Sequence, residues 1–300
     1  MSKNMSLPQR PHIAIFGNIH QSSKGQYVKN ILDKLMTNNF DIALEHSFNQ
    51  YIQTELGIST HSINSFQQIN NTYNLAISIG GDGTFLNTAA QIKNLEIPIL
   101  GINTGHLGFM ADVSPENIDN AIESLANQNF MVEDRSVIQV STNKQVINCY
   151  PFALNEVAIL KHDNSSLIEV KTEINGSLLT NYLADGIIIC TPTGSTGYSL
   201  SAGGPIMVPD AKNFCISAVA PHSLYIRPVV LRDDVTITLE VQSRSHNFMI
   251  SIDGRSESFS ADTKVTLCKA PYCVKIVKVF HKNFFETLKE KMMWGIDNRI

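Results

Sequence analysis

Apolar runs alternate with helically spaced apolar residues over the first part of the chain. The spacing over Tyr27–Met36 predicts a helix, and Ser114 with Pro115 predicts the start of another that runs to Ala126. Alternating elements of this kind indicate a parallel sheet covered by helices. The apolar runs that predict its buried strands are His12–Gly17, Leu75–Ile79 and Ile97–Ile102.

From about Arg135 the pattern changes to short apolar runs with little helix between them, which predicts an all-β, sandwich-like domain. We therefore expect a loose tail at residues 1–10, a Rossmann-like α/β domain over 11–134, a β domain over 135–280, and a C-terminal helix within 281–300 that returns to the first domain. The predicted strands of the second domain are Val137–Ser141, Glu156–Leu160, Ile168–Ile174, Ile187–Cys190, Ile216–Ala220, Val235–Val241, Phe248–Ile252, Val265–Leu267 and Val274–Val279.

Composition narrows the class of protein. The chain has 300 residues, 43% hydrophobic and 17% charged, which is typical of a globular protein with room for two domains. A net charge of −4 gives no basic footprint for nucleic acid. No apolar run approaches the roughly 20 residues of a membrane span, and no secretory signal is visible. The five cysteines form no Cys-x-x-Cys pair, so we expect a reducing cytoplasm.

The segment Gly80-Gly81-Asp82-Gly83-Thr84 carries the strongest chemical signal. It joins a predicted buried strand to a predicted helix start, and its glycines let backbone N–H groups approach an anion. A carboxylate inside such a phosphate loop is placed to hold Mg²⁺ or to receive a proton from a hydroxyl under attack. The alternative is a tight turn in which Asp82 satisfies local N–H groups.

Two further loops follow predicted strands. Gly101–Phe109 leads from the same sheet, so it points to the same crevice; Phe109 offers a face to a base or belongs to the core, and His106 is a polar loop residue. The segment Thr191–Pro205 is rich in hydroxyls and small residues, which suits a ribose or a phosphate, although a linker can share this composition.

Three smaller features remain. Asn155-Glu156 at a strand start either binds the hydroxyl pair of a ribose or caps a neighbouring turn. Asp253-Gly254 is most simply a hairpin turn, and His222 is an isolated candidate. Neither Gly-x-x-x-x-Gly-Lys nor Gly-x-Gly-x-x-Gly is present, so a bound nucleotide uses neither common device.

Together these motifs, with Asp185-Gly186, resemble the NAD kinase family from His12 onward. The resemblance implies transfer of the γ-phosphoryl group of ATP to the 2′-hydroxyl of the adenosine ribose of NAD, with Mg²⁺, in a homotetramer or homodimer. It implies Asp82 as general base or Mg²⁺ organiser, Asn155 and Glu156 at the nicotinamide-side ribose, and Phe109 near adenine. The other residues that it implies for NAD are Gly83, Asp185, Thr196, Gly197, Tyr198, Ser199, Leu200 and Ser201, and more weakly Leu183, His222 and Arg255.

The sequence departs from some bacterial members at two of these positions. Leu183 stands where they have a basic residue, and Arg255 where they have an amide. Acceptance of NADH, feedback by reduced cofactors and the donor range therefore stay open. Two alternatives also stay open: a lipid kinase of the diacylglycerol or sphingosine type, which shares the glycine loop, and a non-catalytic NAD(P)-binding sensor.

Overall fold

The computed structural model describes residues 5–20, 25–105, 108–162, 166–279 and 283–295. Contacts divide the chain into two compact units. The first comprises Met1–Asp134 with Val274–Ile300, and the second comprises Arg135–Cys273. None of the described helices has the length and apolar character needed to cross a bilayer.

The first unit contains a seven-stranded sheet with the order β3-β2-β1-β4-β5-β19-β6. Strands β1 to β5 pair in parallel, in the 3-2-1-4-5 order of dinucleotide-binding sheets, whose order reverses between β1 and β4. The strands are β1 His12–Gly17, β2 Asp41–Glu45, β3 Asn64–Phe66, β4 Leu75–Ile79, β5 Ile99–Ile102, β6 Met131–Arg135 and β19 Val274–Lys278.

Helices α1 and α4 each bury one apolar stripe in the core of this unit. In α1 the stripe is Val28, Ile31, Leu32 and Leu35, and in α4 it is Ile118, Ala121, Ile122 and Leu125, as helical spacing requires. The predicted α/β domain is therefore confirmed. The helices of this unit are α1 Gly25–Thr37, α2 His46–Thr54, α3 Asp82–Ile92, α4 Ile118–Ala126 and α6 Phe284–Met292.

Two expectations for the chain ends need correction. Leu7, expected in a loose tail, is buried in the core of the first unit and its backbone exchanges hydrogen bonds with the Gln128 side chain. Strand β19, expected in the β domain, lies beside β5 in the first sheet, so the domain boundary falls at residue 273 and not at 280. Helix α6 belongs to the first unit, and Asn283 with Glu286 forms its capping box.

The helix expected from Ser114 also begins differently. Its first turn, Pro115–Asn117, is a 3₁₀ turn, and α4 starts at Ile118. The Ser114 hydroxyl accepts a hydrogen bond from the Asn117 side chain at 3.1 Å and caps no backbone N–H.

The second unit consists of two six-stranded antiparallel sheets, which confirms the predicted sandwich-like domain. Their orders are β11-β10-β15-β18-β7-β8 and β14-β13-β12-β9-β16-β17, and inward-facing residues of both sheets form one core. The strands are β7 Ile138–Thr142, β8 Phe152–Ala153, β9 Glu156–Lys161, β10 Ile168–Ile174, β11 Ser177–Ala184, β12 Gly186–Cys190, β13 Asn213–Val219, β14 Val229–Arg232, β15 Ile237–Gln242, β16 Asn247–Ile252, β17 Arg255–Ser260 and β18 Val265–Lys269.

Strand β12 is buried along its whole length, which explains its unbroken apolar run. One face contributes Ile187 and Ile189 to the sandwich core, and the other packs Ile188 and Cys190 under Met207. The chain after β12 therefore folds back over its own sheet. It forms a 3₁₀ turn, Thr193–Thr196, and the short helix α5, Tyr198–Ser201, which excludes a free linker there.

Candidate functional site

The glycine loop of the first unit ends in the N-terminus of α3, which begins at Asp82 itself with Gly81 as its N-cap. Among the described residues, no acceptor pairs with the backbone N–H groups of Gly81, Asp82 and Gly83. A Cβ placed on Gly81 or Gly83 would meet nothing within 4 Å, so the space beside these donors is open. Unpaired donors at a helix N-terminus with open space beside them make an anion-binding site.

The Asp82 carboxylate holds the loop that follows β5. Its Oδ2 accepts a hydrogen bond from the Phe109 N–H at 2.7 Å, and its Oδ1 accepts from Met110 and Ala111, both at 3.0 Å. The alternative expectation was that Asp82 accepts hydrogen bonds from N–H groups of its own turn. It does accept hydrogen bonds from N–H groups, but these belong to the neighbouring loop. A carboxylate has about four acceptor positions, so three bonds leave one on Oδ2.

Gly108 is required by this contact. A Cβ at position 108 would lie 1.9 Å from Asp82 Oδ1, a separation that no substituted residue can adopt. The motif residues His106 and Leu107 lie outside the described residues. Phe109 is half-buried, and the Lys291 Nζ atom of α6 lies 4.5 Å from its ring centroid, so one ring face is covered by a cation.

In the second unit, Asn155 and Glu156 stand at the start of β9. Their Oδ1 and Oε2 atoms are buried, and neither has a hydrogen-bond partner among the described residues. Leaving a buried polar atom unpaired costs about 1–3 kcal/mol, so two such atoms on consecutive residues indicate a ligand-binding position. The alternative expectation, that this pair caps a neighbouring turn, holds for Glu156, whose carboxylate accepts the Tyr198 N–H, and not for the Asn155 Oδ1 atom. Two adjacent acceptors suit a pair of neighbouring hydroxyl donors.

The turn after β12 closes around this pair. The Thr191 N–H donates to the Asn155 carbonyl at 2.9 Å, and the Thr191 hydroxyl donates to the Leu154 carbonyl at 2.6 Å. A Cβ on Gly194 would lie 2.1 Å from the backbone carbonyl oxygen of Asn155, so only glycine allows the two segments to approach this closely. The Tyr198 N–H bonds to the Glu156 carboxylate. The predicted Asn155-Glu156 and Thr191–Ser201 segments are thus parts of one cluster.

Asp253 supports the cluster from the β16–β17 turn. Its carboxylate accepts hydrogen bonds from three consecutive N–H groups: Leu154 at 2.7 Å, Asn155 at 2.8 Å and Glu156 at 3.0 Å. Asp253 and Gly254 have φ values of 46° and 81°, which confirms the predicted hairpin turn. The bonds to residues 154–156 could not be predicted from the sequence, because no local pattern signals a partner so far away along the chain.

The electrostatics of the cluster are unusual. Burial raises the pKa of Glu156 to about 7; the nearby Asp253 carboxylate adds to the rise and the Tyr198 N–H opposes it. Burial also raises the pKa of Asp253, against the three N–H groups and Arg255. A carboxyl group with a pKa near neutrality can donate or accept a hydrogen bond, and such groups cluster at functional sites.

Several residues of this unit that were predicted to bind NAD lie away from Asn155 and Glu156. Asp185 forms an ion pair with Lys161 at 2.6 Å at the opposite end of β12. Five residues of β-strand separate that end from Glu156, a distance of about 16 Å. Leu183 and His222 are at that end too. Ser199 is fully buried with its hydroxyl 3.2 Å from that of Ser217, so it anchors the turn.

The remaining residues of the turn differ in exposure. Tyr198 and Ser201 are exposed, and Thr196, Gly197 and Leu200 are half-buried, so they are accessible to a ligand. The Arg255 Nη2 atom donates to the Phe152 carbonyl at 2.9 Å, which ties this side chain to the backbone. The described residues contain no cluster of three or more His, Cys, Asp or Glu side chains that could hold a metal ion.

Comparison with known proteins decides the family. The family model of the ATP-NAD kinase N-terminal domain matches residues 13–130, and that of the ATP-NAD kinase C-terminal domain matches residues 154–279. The NAD kinase of Bacteroides fragilis (strain YCH46) is 48% identical over 287 residues, 96% of this chain and 99% of that protein. The chain belongs to the NAD kinase family. The NAD kinase of Christiangramia forsetii is 39% identical over 291 residues, 96% of this chain and 99% of that protein.

Solved structures agree with the fold of the NAD kinase family. A yeast NADH kinase complexed with NADH has a TM-score of 0.85 at 20% identity, with 100% of this chain and 95% of that chain covered. An NAD kinase from Archaeoglobus fulgidus in complex with ATP has a TM-score of 0.72 at 25% identity, with 94% and 98% covered. The predicted family, the two-domain fold and the function of an NAD kinase are confirmed.

Proposed function

We propose that this chain transfers the γ-phosphoryl group of ATP to the 2′-hydroxyl of the adenosine ribose of NAD, giving NADP. The observation that carries the acceptor assignment is the pair of buried, unpartnered oxygens, Asn155 Oδ1 and Glu156 Oε2. They accept hydrogen bonds from the neighbouring hydroxyls of the nicotinamide-side ribose. Thr196, Gly197, Tyr198, Leu200 and Ser201 are accessible beside them and contact the rest of the dinucleotide.

The α3 N-terminus takes the phosphate chain. The open N–H groups of Gly81, Asp82 and Gly83 spread the negative charge of phosphate oxygens, which is the main task in phosphoryl transfer. Asp82 Oδ2 keeps one acceptor position, and we assign it to the attacked hydroxyl or to Mg²⁺. A positioned carboxylate at the hydroxyl contributes about 10²–10⁴-fold.

Mg²⁺ fits this donor set as an ion held mainly by the nucleotide. The described residues provide no cage of side chains for a metal, and Mg²⁺ commonly binds through one or two carboxylates and substrate phosphates. When bound, it neutralises phosphate charge. Asp82 is the carboxylate that remains available to it, because the other acceptor positions hold the loop 109–111.

We also propose a homo-oligomer, a dimer or a tetramer, in the cytoplasm. The support is the number of exposed apolar side chains on the second unit, with Leu224 84% and Tyr225 92% exposed and Leu178 60% exposed on the edge strand β11. Asp185, Leu183 and His222 lie at the far end of β12 from Asn155 and Glu156. We therefore assign their contribution to NAD binding to a second copy of the chain.

An assay of NADP formation from NAD, ATP and Mg²⁺ tests this function. The wild-type chain is expected to form NADP, and Asp82→Asn to reduce turnover at least about 10²-fold while NAD binding survives, because the carboxylate acts on the hydroxyl and not on the dinucleotide as a whole. Asp33→Asn, on the exposed side of α1, is the matched control. Wild-type turnover in Asp82→Asn would contradict the role of Asp82, and the absence of NADP would contradict the activity.

A further inference from the structure

The charge of Asp253 exceeds what its turn requires. A hairpin turn with two positive φ angles accepts Asn-Gly at least as well as Asp-Gly, and the same unit contains such a turn at Asn175-Gly176, with φ values of 50° and 80°. Asn175 Oδ1 accepts one N–H, from Thr236 at 2.9 Å. Asp253, in contrast, places a carboxylate that is 3% exposed against three N–H groups about 100 residues away.

These three N–H groups belong to the residues that carry the unpartnered oxygens. Leu154 and Asn155 precede β9, so no neighbouring strand pairs with their N–H groups. The Asp253 carboxylate accepts these two hydrogen bonds in place of a strand. A carboxylate that accepts three consecutive N–H groups determines the direction of that backbone, and with it the direction of the Asn155 and Glu156 side chains. A hydroxyl or an amide offers fewer acceptor positions.

We propose that Asp253 is a positioning residue for the reaction: its buried carboxylate orients Asn155 and Glu156 toward the ribose hydroxyls of NAD. The inference rests on the proposed function, because NAD supplies the hydroxyl pair. Asp253 itself touches no substrate, since its oxygens are occupied by the backbone of residues 154–156.

The electrostatic surroundings support this role. Two carboxylates that are buried close together repel each other, which lowers the stability of the fold. Their presence is therefore explained by binding and not by stability. The titratable groups that interact with Glu156 are Asp253 and Cys190, which lies at the end of β12. Those that interact with Asp253 also include Arg255 and Tyr272, and the Tyr272 hydroxyl lies 2.7 Å from that of Tyr150. The Asp253 carboxylate is the group among these that adds to the rise in the pKa of Glu156 beyond burial itself.

Asp253→Asn tests the proposal, because it keeps the size of the side chain and its suitability for the turn but removes the charge. Its amide group points a donor at one of the three N–H groups, so we expect the KM for NAD to rise about tenfold, the scale of losing a charged hydrogen bond. The KM for ATP should change less than about twofold, because the phosphate-binding N–H groups are untouched.

The pH profile separates positioning from a structural effect. In the wild type, kcat/KM for NAD should rise through a midpoint near 7 as Glu156 ionises. In Asp253→Asn the midpoint should move to lower pH, because the charge that raises the pKa of Glu156 is gone. In Glu156→Gln the midpoint should be absent, and adding Asp253→Asn to that variant should not alter the profile further.

Asn175→Ala is the matched control, since it weakens the other turn of this type in the same unit. It should lower the melting temperature and leave the KM for NAD and the pH midpoint unchanged. A folded Asp253→Asn variant that behaves in the same way would overturn the proposal. Failure of the wild type to form NADP would instead overturn the proposed function.

Hydrogen exchange of the wild type keeps the proposal testable if Asp253→Asn does not fold. The N–H groups of Leu154 and Asn155 have no strand partner, so their exchange should be slow only because Asp253 binds them. Slow exchange at both positions is the expected result. Fast exchange would show that the carboxylate does not hold this backbone and would overturn the inference.

Discussion

Replacing Glu156 by Gln should make the chain more stable at alkaline pH. The substitution keeps the shape of the side chain and removes a carboxyl group whose pKa is raised to about 7, first by burial and then by the charge of Asp253. Above that pH the folded chain holds a buried, unpaired negative charge, which Gln does not carry. Residues that bind ligands often reduce stability in this way.

The size of the effect follows from the pKa. The ordinary value is 4.5 and the folded value is about 7. Between these two values the folded chain holds a proton that the unfolded chain has lost, so stability falls as the pH rises. The contribution is fully present below about pH 4.5 and lost above about pH 7, and at 1.36 kcal/mol for each pKa unit it amounts to about 3 kcal/mol.

Urea unfolding of the wild type and Glu156→Gln at pH 5 and pH 8 measures this contribution. The difference in unfolding free energy should favour Gln by about 2–3 kcal/mol more at pH 8 than at pH 5. Glu169→Gln, at a half-buried glutamate of the same unit, is the matched control for the substitution of Glu by Gln. An equal difference at both pH values, or a larger one at pH 5, would refute the reasoning.

Two further predictions concern the loops and the assembly. Gly108→Ala should lower turnover by about 10²-fold or more, because its Cβ would lie 1.9 Å from Asp82 Oδ1. Gly25→Ala is the control and should be active, because its Cβ would make an ordinary contact of 3.5 Å with Leu56. Activity measurements on both variants check this, and full activity in Gly108→Ala would contradict it. Mixing Asn155→Ala with Asp185→Ala should restore NADP formation if one copy supplies each residue, and no recovery after subunit exchange would contradict a shared site.

The sequence predicts most of the fold, and its errors have physical causes. Strand β19 has the apolar pattern of any half-buried strand, and nothing in that pattern says which sheet it joins. Strand β11 escaped prediction because it is an edge strand whose residues are mostly exposed. The burial of Leu7 depends on Gln128, a partner that lies 121 residues away.

The candidate site was predicted in its components but not in its connections. The glycine loop, Asn155-Glu156 and Thr191–Ser201 were found because local residue types suggest anion and sugar binding. The bonds of Asp82 to residues 109–111 and of Asp253 to residues 154–156 join distant parts of the chain, so local patterns cannot show them. The position of Asp185 at the far end of β12 became visible only with the strand register.

The most direct test of the account is a calorimetric titration that compares NAD with an analogue lacking both hydroxyls on the nicotinamide-side ribose. For the wild type, loss of the hydroxyls should weaken binding by about 10–100-fold, because Asn155 Oδ1 and Glu156 Oε2 are left unpaired. For the double variant Asn155→Ala, Glu156→Ala, which lacks both acceptor oxygens, the two ligands should bind almost equally. An equal loss of affinity in both proteins would contradict the claim that these two side chains bind the sugar.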